Sequence, residues 1–384
     1  MITTPTSEAE IAEALRTATA EKLPVLVQGH GSKLGMLRPV QAARTISTSA
    51  LTGITLYAPK ELIISARAGT TLSEIEAALA AEGQHIIAEP PDLSGLFGPS
   101  EQTIGGIVAT NLSGPRRIAW GSMRDHVIGL RAVNGQGEIL RAGGRVLKNV
   151  TGLDLCKLLT GSHGTLAIIT EVTLKILPAP QATGTILLRG LSPARAIAAM
   201  AQALGSPFSV SGAARLADGK TAIRIEDFAP SVTYRCEKLA DDLADFGTSE
   251  IIGTAESLAL WRKIRNVEPL AAEPEEAIWR VSVAPSAGPA VLAAAERAGA
   301  HGFLDWGGGL VWLAGPASGQ THEAISTVTR QAGGVWWLMR APDPLRVAVD
   351  VIPPEPGALS TIRRRVQDSF DPARILNPGR LYAA

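Results

Sequence analysis

The stretch Leu158–Pro178, "LLTGSHGTLAIITEVTLKILP", decides how the chain is read. Asp154 is placed to cap a short helix over "LCKLL", and Gly161 is placed to stop it. The turn "TGSHGT" follows, then an apolar, β-branched run closed by Pro178 that reads as a buried strand. A nucleophile elbow needs strand, G-x-S-x-G, then helix. Here the order is reversed and the glycine spacing is wrong, which excludes an α/β-hydrolase reading. His163 has no H-E-x-x-H or cysteine companion, so it is not a metal ligand by pattern. It reads as a structural or solvent-facing turn residue. What remains is main chain: Gly161, Gly164, Thr165 and Leu166 are shaped to lie against a flat partner.

Two glycine-rich stretches upstream suggest what that partner is. "VQGHGSKLG" follows the strand "LPVLVQG" directly. Gly29 and Gly31 permit a tight turn with inward N–H groups, flanked by His30, the Ser32 hydroxyl and the Lys33 cation. That is diphosphate-cradling chemistry, although it matches neither G-x-G-x-x-G nor G-x-x-x-x-G-K-[ST]. It reads equally as an ordinary strand-to-loop turn. In "QTIGGIVATNLSGPRR", Gly105-Gly106 allows close backbone approach, Thr103, Asn111 and Ser113 offer hydrogen bonds, and Arg116 and Arg117 add charge. Alone it reads at least as readily as a glycine-rich structural loop. Two such stretches in one domain favour a large anionic cofactor. The whole run from Glu89 to Ser122 is long, Gly/Pro/Ser-rich and aperiodic. It reads as an ordered functional loop, held by Leu96, Phe97, Ile104, Ile107 and Val108.

Around these lie capped helices and strands. Ser7 and Glu10 have capping-box spacing ahead of Ile11, Ala14, Leu15 and Ala18; Thr71 and Glu74 repeat it ahead of Leu72, Ile75 and Leu79. After Pro178 the texture changes. "GTILLRG", "SPARAIAAMAQAL", "SVSGAARL", "KTAIRIED", "SVTYRCEKLADDLADF" and "SEIIGT" read β-α-β-β-α-β. After a helix "ESLALWRKIRN", the same order recurs from "IWRVSVAP" to "GVWWLMR". These are two split βαβ units that can share one sheet. The expected division is 1–178, 179–358, and a terminal helix and tail over 359–384 that returns to the first domain. In "WRKIRN", Trp261 and Ile264 face the core while Arg262, Lys263 and Arg265 are solvated. Trp306, Trp312, Trp336 and Trp337 are read as core of the second domain.

Composition bounds the function. Lys+Arg and Asp+Glu both number 36 over 384 residues, which argues against broad nucleic-acid or membrane-surface binding. Two cysteines, Cys156 and Cys236, make neither a disulfide framework nor a metal site, and a reducing compartment is the default. The N-terminus lacks a signal-peptide pattern, and no apolar run nears the roughly 18 residues of a membrane helix. A soluble cytoplasmic protein is expected.

"VQGHGSK", "EPPDLSGLFGPSEQTIGGIVATNLSGPRR" and the run from "GSMRDHVIGL" through "GGRVLKNVTGLDLCKLLTGSHGTLAIITEVTLKILP" resemble the FAD domain of the vanillyl-alcohol-oxidase/PCMH superfamily. The last phrase, "HGFLDWGGGLVWL" and the tail "FDPARILNPGRLY" look most like the FAD-binding E-subunit family of bacterial glycolate oxidase. The resemblance covers nearly the whole chain and is most specific before Pro178. It implies an α+β fold. A PCMH-type FAD-binding domain of two α+β subdomains would precede a C-terminal α+β domain with ferredoxin-like β-α-β-β-α-β units.

It further implies that FAD lies between the two subdomains. "QGHGSK" would hold the diphosphate, together with the backbones of "TIGG" (Thr103, Ile104, Gly105, Gly106) and "NLSG" (Asn111, Ser113, Gly114). Pro90, in the adjoining loop, would also bind the cofactor. The Gly161–Leu166 turn, Ile168, Ile169 and Glu171 would form the cofactor wall, and Arg117 or Arg124 would stand near the flavin N1 side. Members with covalent flavin often carry histidine where Ser32 stands; here histidine is at position 30, so a noncovalent FAD is expected. Leu153 stands where many relatives have an aromatic residue.

Relatives that oxidise 2-hydroxy acids unaided carry a C-terminal histidine and acid cluster. Here only His301 and Asp305 occupy comparable territory. Arg265, Arg280 and Arg340 are nominees for a carboxylate-binding cation, though each reads more simply as a surface or interdomain ion pair. The expectation is therefore an FAD-binding subunit of a multi-subunit glycolate or related 2-hydroxy-acid dehydrogenase. Its implied partners are a catalytic flavoprotein subunit of the same superfamily and an iron–sulfur subunit, and these would bring it to the inner membrane as a peripheral protein. The alternatives are a self-sufficient flavoenzyme and a cofactor-free scaffold.

Overall fold

In a computed structural model, the chain is described over residues 2–144 and 153–383. The "RVLKNVTG" part of the motif above lies outside those residues. The first helix, Glu8–Ala20, starts where Ser7 accepts a hydrogen bond from the Glu10 N–H, and buries Ile11, Ala12, Leu15 and Ala18. Thr71 caps Leu72–Ala81 through the Glu74 N–H in the same way. These side-chain oxygens satisfy N–H groups that a helix start leaves without partners.

The first half carries two main sheets. Ile2–Thr3, Arg44–Ser47 and Val25–Gln28 form a parallel sheet with Arg44–Ser47 in the middle. Five antiparallel strands run in the order Ile54–Ala58, Ile63–Arg67, Ala167–Lys175, Val127–Asn134 and Ile139–Gly143. Ala167–Lys175 is the centre of this sheet and is buried along most of its length. Its β-branched run suits a strand covered on both faces. The helix Leu155–Leu159, capped by Asp154, and the turn beyond it lead into that strand.

The stretch after Glu89 is not one irregular loop. It contains short helices at Ser94–Phe97, Ile104–Thr110, Arg117–Trp120 and Met123–His126. Thr103 accepts from the Gly106 N–H and starts the second of these, while Asn111, in the left-handed region at φ 51°, ends it. Paired glycines at 105 and 106 disguise that helix in the sequence, because glycine is a poor helix former. Burial of Ile104, Ile107 and Val108 decides otherwise.

The second half builds one eight-stranded antiparallel sheet. Ala182–Leu188, Val210–Arg215, Thr221–Asp227 and Ser249–Ile252 pair in the order fourth, first, third, second. Ala277–Ser282, His301–Asp305, Leu310–Gly315 and Val335–Arg340 repeat that order. The two units meet edge to edge where Arg215 pairs with Leu304. Alternation along Ala182–Leu188 shows two different faces. Gly184 lies against Cys236 of helix Ala229–Asp242. Thr185 bonds Ser257 (2.6 Å) and the Trp261 indole (2.9 Å) of helix Thr254–Arg265.

The tail returns to the first half. Ile375 and Leu376 are buried with Ile11, Leu15, Val25 and Ile168, and Val25 and Asn377 bond through their main chains. No helix among the described residues is long and apolar enough to cross a membrane.

Candidate functional site

A cavity opens where the strand Val25–Gln28, the Thr103 helix, the 161–166 turn and the tail converge. The space between these elements amounts to about 750 Å³, the open solvent at its mouth included. Gly29, His30, Gly31, Ser32 and Lys33 line one side. Gly31 takes φ +79°, a conformation open to glycine at little expense. Thr103, Gly105 and Gly106 line a second side, and Gly164, Ile168 and Ile169 a third.

The two adjacent glycines have separate jobs. A β-carbon on Gly105 would stand 2.6 Å from the Ala68 β-carbon, so this glycine lets the helix pack on the strand-end loop. On Gly106 it would point towards Thr103 Oγ1 (3.3 Å) and Lys33 Nζ (3.7 Å) on the cavity side.

The electrostatics of the cavity are one-sided. No Asp or Glu among the described residues lines it, whereas Lys33 and Arg380 do. Burial pushes the Lys33 ammonium down to about 7, with Asp92 only partly opposing. Its hydrogen-bond partner is the Ser32 hydroxyl at 3.3 Å. Arg380 donates to the carbonyls of Lys33 (2.7 Å), Leu34 and Arg38 (both 3.2 Å). Burial pushes its guanidinium down to about 10, helped by Arg346. Buried cations without carboxylates are stabilised by an anionic ligand. The residues present therefore fit a diphosphate held by backbone N–H groups and a lysine.

A pH dependence follows from Lys33. An anion beside it raises its pKa, so binding draws a proton wherever the free lysine is neutral, that is above about pH 7. Affinity for a diphosphate ligand is expected to fall as pH rises past that point, by up to about tenfold per pH unit. Titration calorimetry at pH 8 in two buffers of different ionisation heat should show proton uptake. Equal affinity at pH 6.5 and pH 8.5 would contradict it.

His163 is half-buried. Its φ is +53°, and its side chain lines the cavity. Burial, then Arg380, pushes the imidazole down to about 3, which keeps it neutral. The backbone anchors the turn: the His163 N–H donates to the Ala109 carbonyl at 2.8 Å, and its carbonyl accepts from Asn377 Nδ2 at 2.8 Å. Because that anchoring does not use the imidazole, His163→Ala is expected to change cofactor affinity by less than about threefold, a loss under 1 kcal/mol. Loss of bound cofactor on gel filtration of this variant would refute it.

Other expected site residues sit elsewhere. Asn111 Oδ1 accepts from the Arg124 N–H (3.0 Å) and Ser113 Oγ from the Met123 N–H (2.8 Å), so both shape the loop. The Gly161 N–H bonds the Val108 carbonyl. Pro90 and Ile104 are buried. Thr165 and Leu166 line a neighbouring cleft with Arg363, Arg364 and Tyr382. Glu171 faces another cleft with Glu8 and Arg131. Neither Arg117 nor Arg124 lines the cavity. Arg117 lies 4.3 Å over the Trp306 ring, and the Arg124 carbonyl accepts from Lys157. The Gly114 carbonyl accepts from the Trp306 indole at 3.0 Å, tying the two halves together.

Asn377 and Arg380 were not foreseen. Asn377 also takes the Val27 N–H at 2.8 Å, which clamps the strand to the turn. The signal was present as "NPGR" after the apolar pair Ile375-Leu376, a turn in a tail that otherwise looks disposable.

Among the nominated arginines, Arg265 pairs with Glu76 (3.2 Å) across the halves, as its plain reading expects. Arg340 donates to the carbonyls of Leu96, Glu273 and Glu276. Arg280 departs from that reading: it has no carboxylate within salt-bridge range among the described residues and lies among tryptophan rings.

Comparison with known proteins agrees with this geometry. Residues 1–143 match the FAD binding domain family. The chain is 36% identical over 372 residues to glycolate oxidase subunit GlcE of Escherichia coli (strain K12), covering 97% of this chain and 96% of that protein. It is 32% identical over 184 residues to glycolate oxidase subunit GlcD of Bacillus subtilis (strain 168), covering 48% of this chain and 38% of the relative. The solved 4-ethylphenol oxidase from Gulosibacter chungangensis superposes with a TM-score of 0.74 at 13% identity, over 100% of this chain and 89% of that one. The α+β architecture is that of PCMH-type flavoproteins.

Proposed function

The chain belongs to the family of glycolate oxidase subunit GlcE, and on that premise we propose that it is the FAD-binding subunit of a multi-subunit 2-hydroxy-acid dehydrogenase that converts glycolate to glyoxylate. The observation that carries the reading is the carboxylate-free cavity with Lys33 buried against two glycine-bearing backbones. Gly29–Lys33 and Thr103–Gly106 hold the diphosphate; Gly164, Ile168 and Ile169 form the wall. FAD supplies two-electron acceptance when bound. The attachment is noncovalent, since Ser32 offers no imidazole and His30 turns its Nδ1 to the Glu101 carbonyl at 3.2 Å.

A partner flavoprotein subunit of the same superfamily completes the site, and an iron–sulfur subunit carries electrons onward. Oxidation of a hydroxy acid needs a base for the hydroxyl proton. His301 does not supply it, because its Nε2 is taken by the Leu270 carbonyl (2.9 Å) and its Nδ1 faces Glu276 at 3.6 Å. His322 accepts from the Trp279 indole. The test is anaerobic mixing of the FAD-loaded chain with glycolate, alone and with its partner subunits. Loss of the oxidised-flavin band is expected only in the assembly. Rapid loss in the isolated chain would instead support a self-sufficient enzyme.

A further inference from the structure

The face of the eight-stranded sheet turned towards the first half carries three arginines, Arg224, Arg280 and Arg340. Two have their N–H groups taken. Arg224 binds Glu89 and Ser211, and Arg340 binds three main-chain carbonyls. On the opposing surface Arg116 is held by Glu226.

Arg280 and Arg117 are different. Neither side chain makes a hydrogen bond or ion pair among the described residues, yet both converge on Trp306, at 5.0 Å and 4.3 Å from its ring centre. Arg280 is set between two cross-strand neighbours, Trp312 and Trp337, whose ring centres lie 6.0 Å and 5.1 Å away. Trp306 is fixed in turn by its indole bond to the Gly114 carbonyl. Aromatic rings offer a guanidinium no oxygen acceptor, and its N–H fork matches the two oxygens of a carboxylate. Two like charges on one ring also repel. Burial pushes Arg280 down to about 10, Arg117 pushes the same way, and Asp305 alone opposes. An anion between the two guanidinium groups satisfies the open donors and removes the repulsion. Arg280 is half-buried and Arg117 is exposed, so the pair borders solvent.

We propose that Arg280 and Arg117, held on Trp306 from opposite halves of the chain, form a binding site for the carboxylate of a small 2-hydroxy or 2-oxo acid. The acid class rests on the function proposed above; the anion site does not. Because each half contributes one cation, a bound carboxylate also bridges the halves.

The test uses oxalate, a redox-inert dicarboxylate, titrated calorimetrically into the FAD-loaded chain, with uncharged glycolamide as control. Wild type should bind oxalate and not glycolamide. Arg117→Gln, a change at an exposed side chain, should weaken oxalate roughly tenfold or more, the usual effect of losing a charged hydrogen-bond donor. Arg280→Lys keeps the charge but loses the fork, and should weaken it similarly. Flavin absorbance per chain should stay at the wild-type value in both variants. Absence of oxalate binding in wild type, or unchanged affinity in Arg117→Gln, overturns the proposal. A chain without flavin that still binds oxalate through these arginines would overturn the functional reading and leave the anion site standing.

Discussion

Arg224→Met is expected to destabilise the chain by about 3–5 kcal/mol, the usual loss when one partner of a buried ion pair is removed. Arg224 is 2% exposed. It holds Glu89 with two bonds of 2.9 Å and 3.0 Å, and Ser211 with a third of 3.1 Å. Its guanidinium also stacks 4.5 Å from the Trp261 ring. Arg116 holds Glu226 in the same bidentate way, at 3.0 Å and 2.7 Å, and its N–H reaches Glu89 at 3.2 Å. Burial pushes the Glu89 carboxyl up, but Arg116 and Arg224 outweigh it and hold the group below its ordinary range. Methionine in place of Arg224 leaves that carboxylate in the interior with Arg116 at 4.0 Å as its nearest cation. The denaturant midpoint should fall with little change in slope. A second substitution, Glu89→Leu, should recover part of the loss, since a buried pair replaced by apolar groups is often near neutral. A single variant within 1 kcal/mol of wild type would show that water reaches the network.

Gly106→Val is expected to lower FAD affinity at least a hundredfold while leaving the second half folded. The β-carbon would enter the cavity 3.7 Å from Lys33 Nζ, and the two methyl groups beyond it would fill the space between the glycine backbones. The heavier clash falls on the ligand, because the nearest protein atom, Thr103 Oγ1 at 3.3 Å, has to give by only a few tenths of an ångström. Valine also lengthens the approach of any bound phosphate to the main chain, and that approach is what glycine provides. Flavin recovered per chain after gel filtration measures the effect. Full occupancy would move the cofactor away from this helix.

Local chemistry was the part of the fold most open to reading. The caps at Ser7, Thr71, Asp154 and Ser192 depend on residues within four positions, and the β-α-β-β-α-β order of the second half followed from periodicity and breakers. The junction of the two units through Arg215 and Leu304 was not legible, because a single bridge between edge strands leaves no pattern along the chain. The same holds for the network of Glu89, Arg116, Arg224 and Glu226, whose members come from the stretch after Gln84–His85 and from the distant strand Thr221–Asp227. At the cavity, the glycines were visible because their spacing is local. The sequence left His163 open between a structural and a solvent-facing turn residue, because the group that anchors its carbonyl, Asn377, stands 214 positions away. Arg280 reads in the sequence as a surface or interdomain cation because Trp312 and Trp337 meet it only across strands and Trp306 only from a turn.

One measurement bears most directly on the account: the purified chain precipitated with acid, with the flavin in each fraction quantified against protein. The cavity of Gly29–Lys33, Thr103–Gly106 and Lys33's buried charge predicts close to one FAD per chain, released entirely into the supernatant. A colourless protein, or yellow colour retained in the pellet, would contradict it.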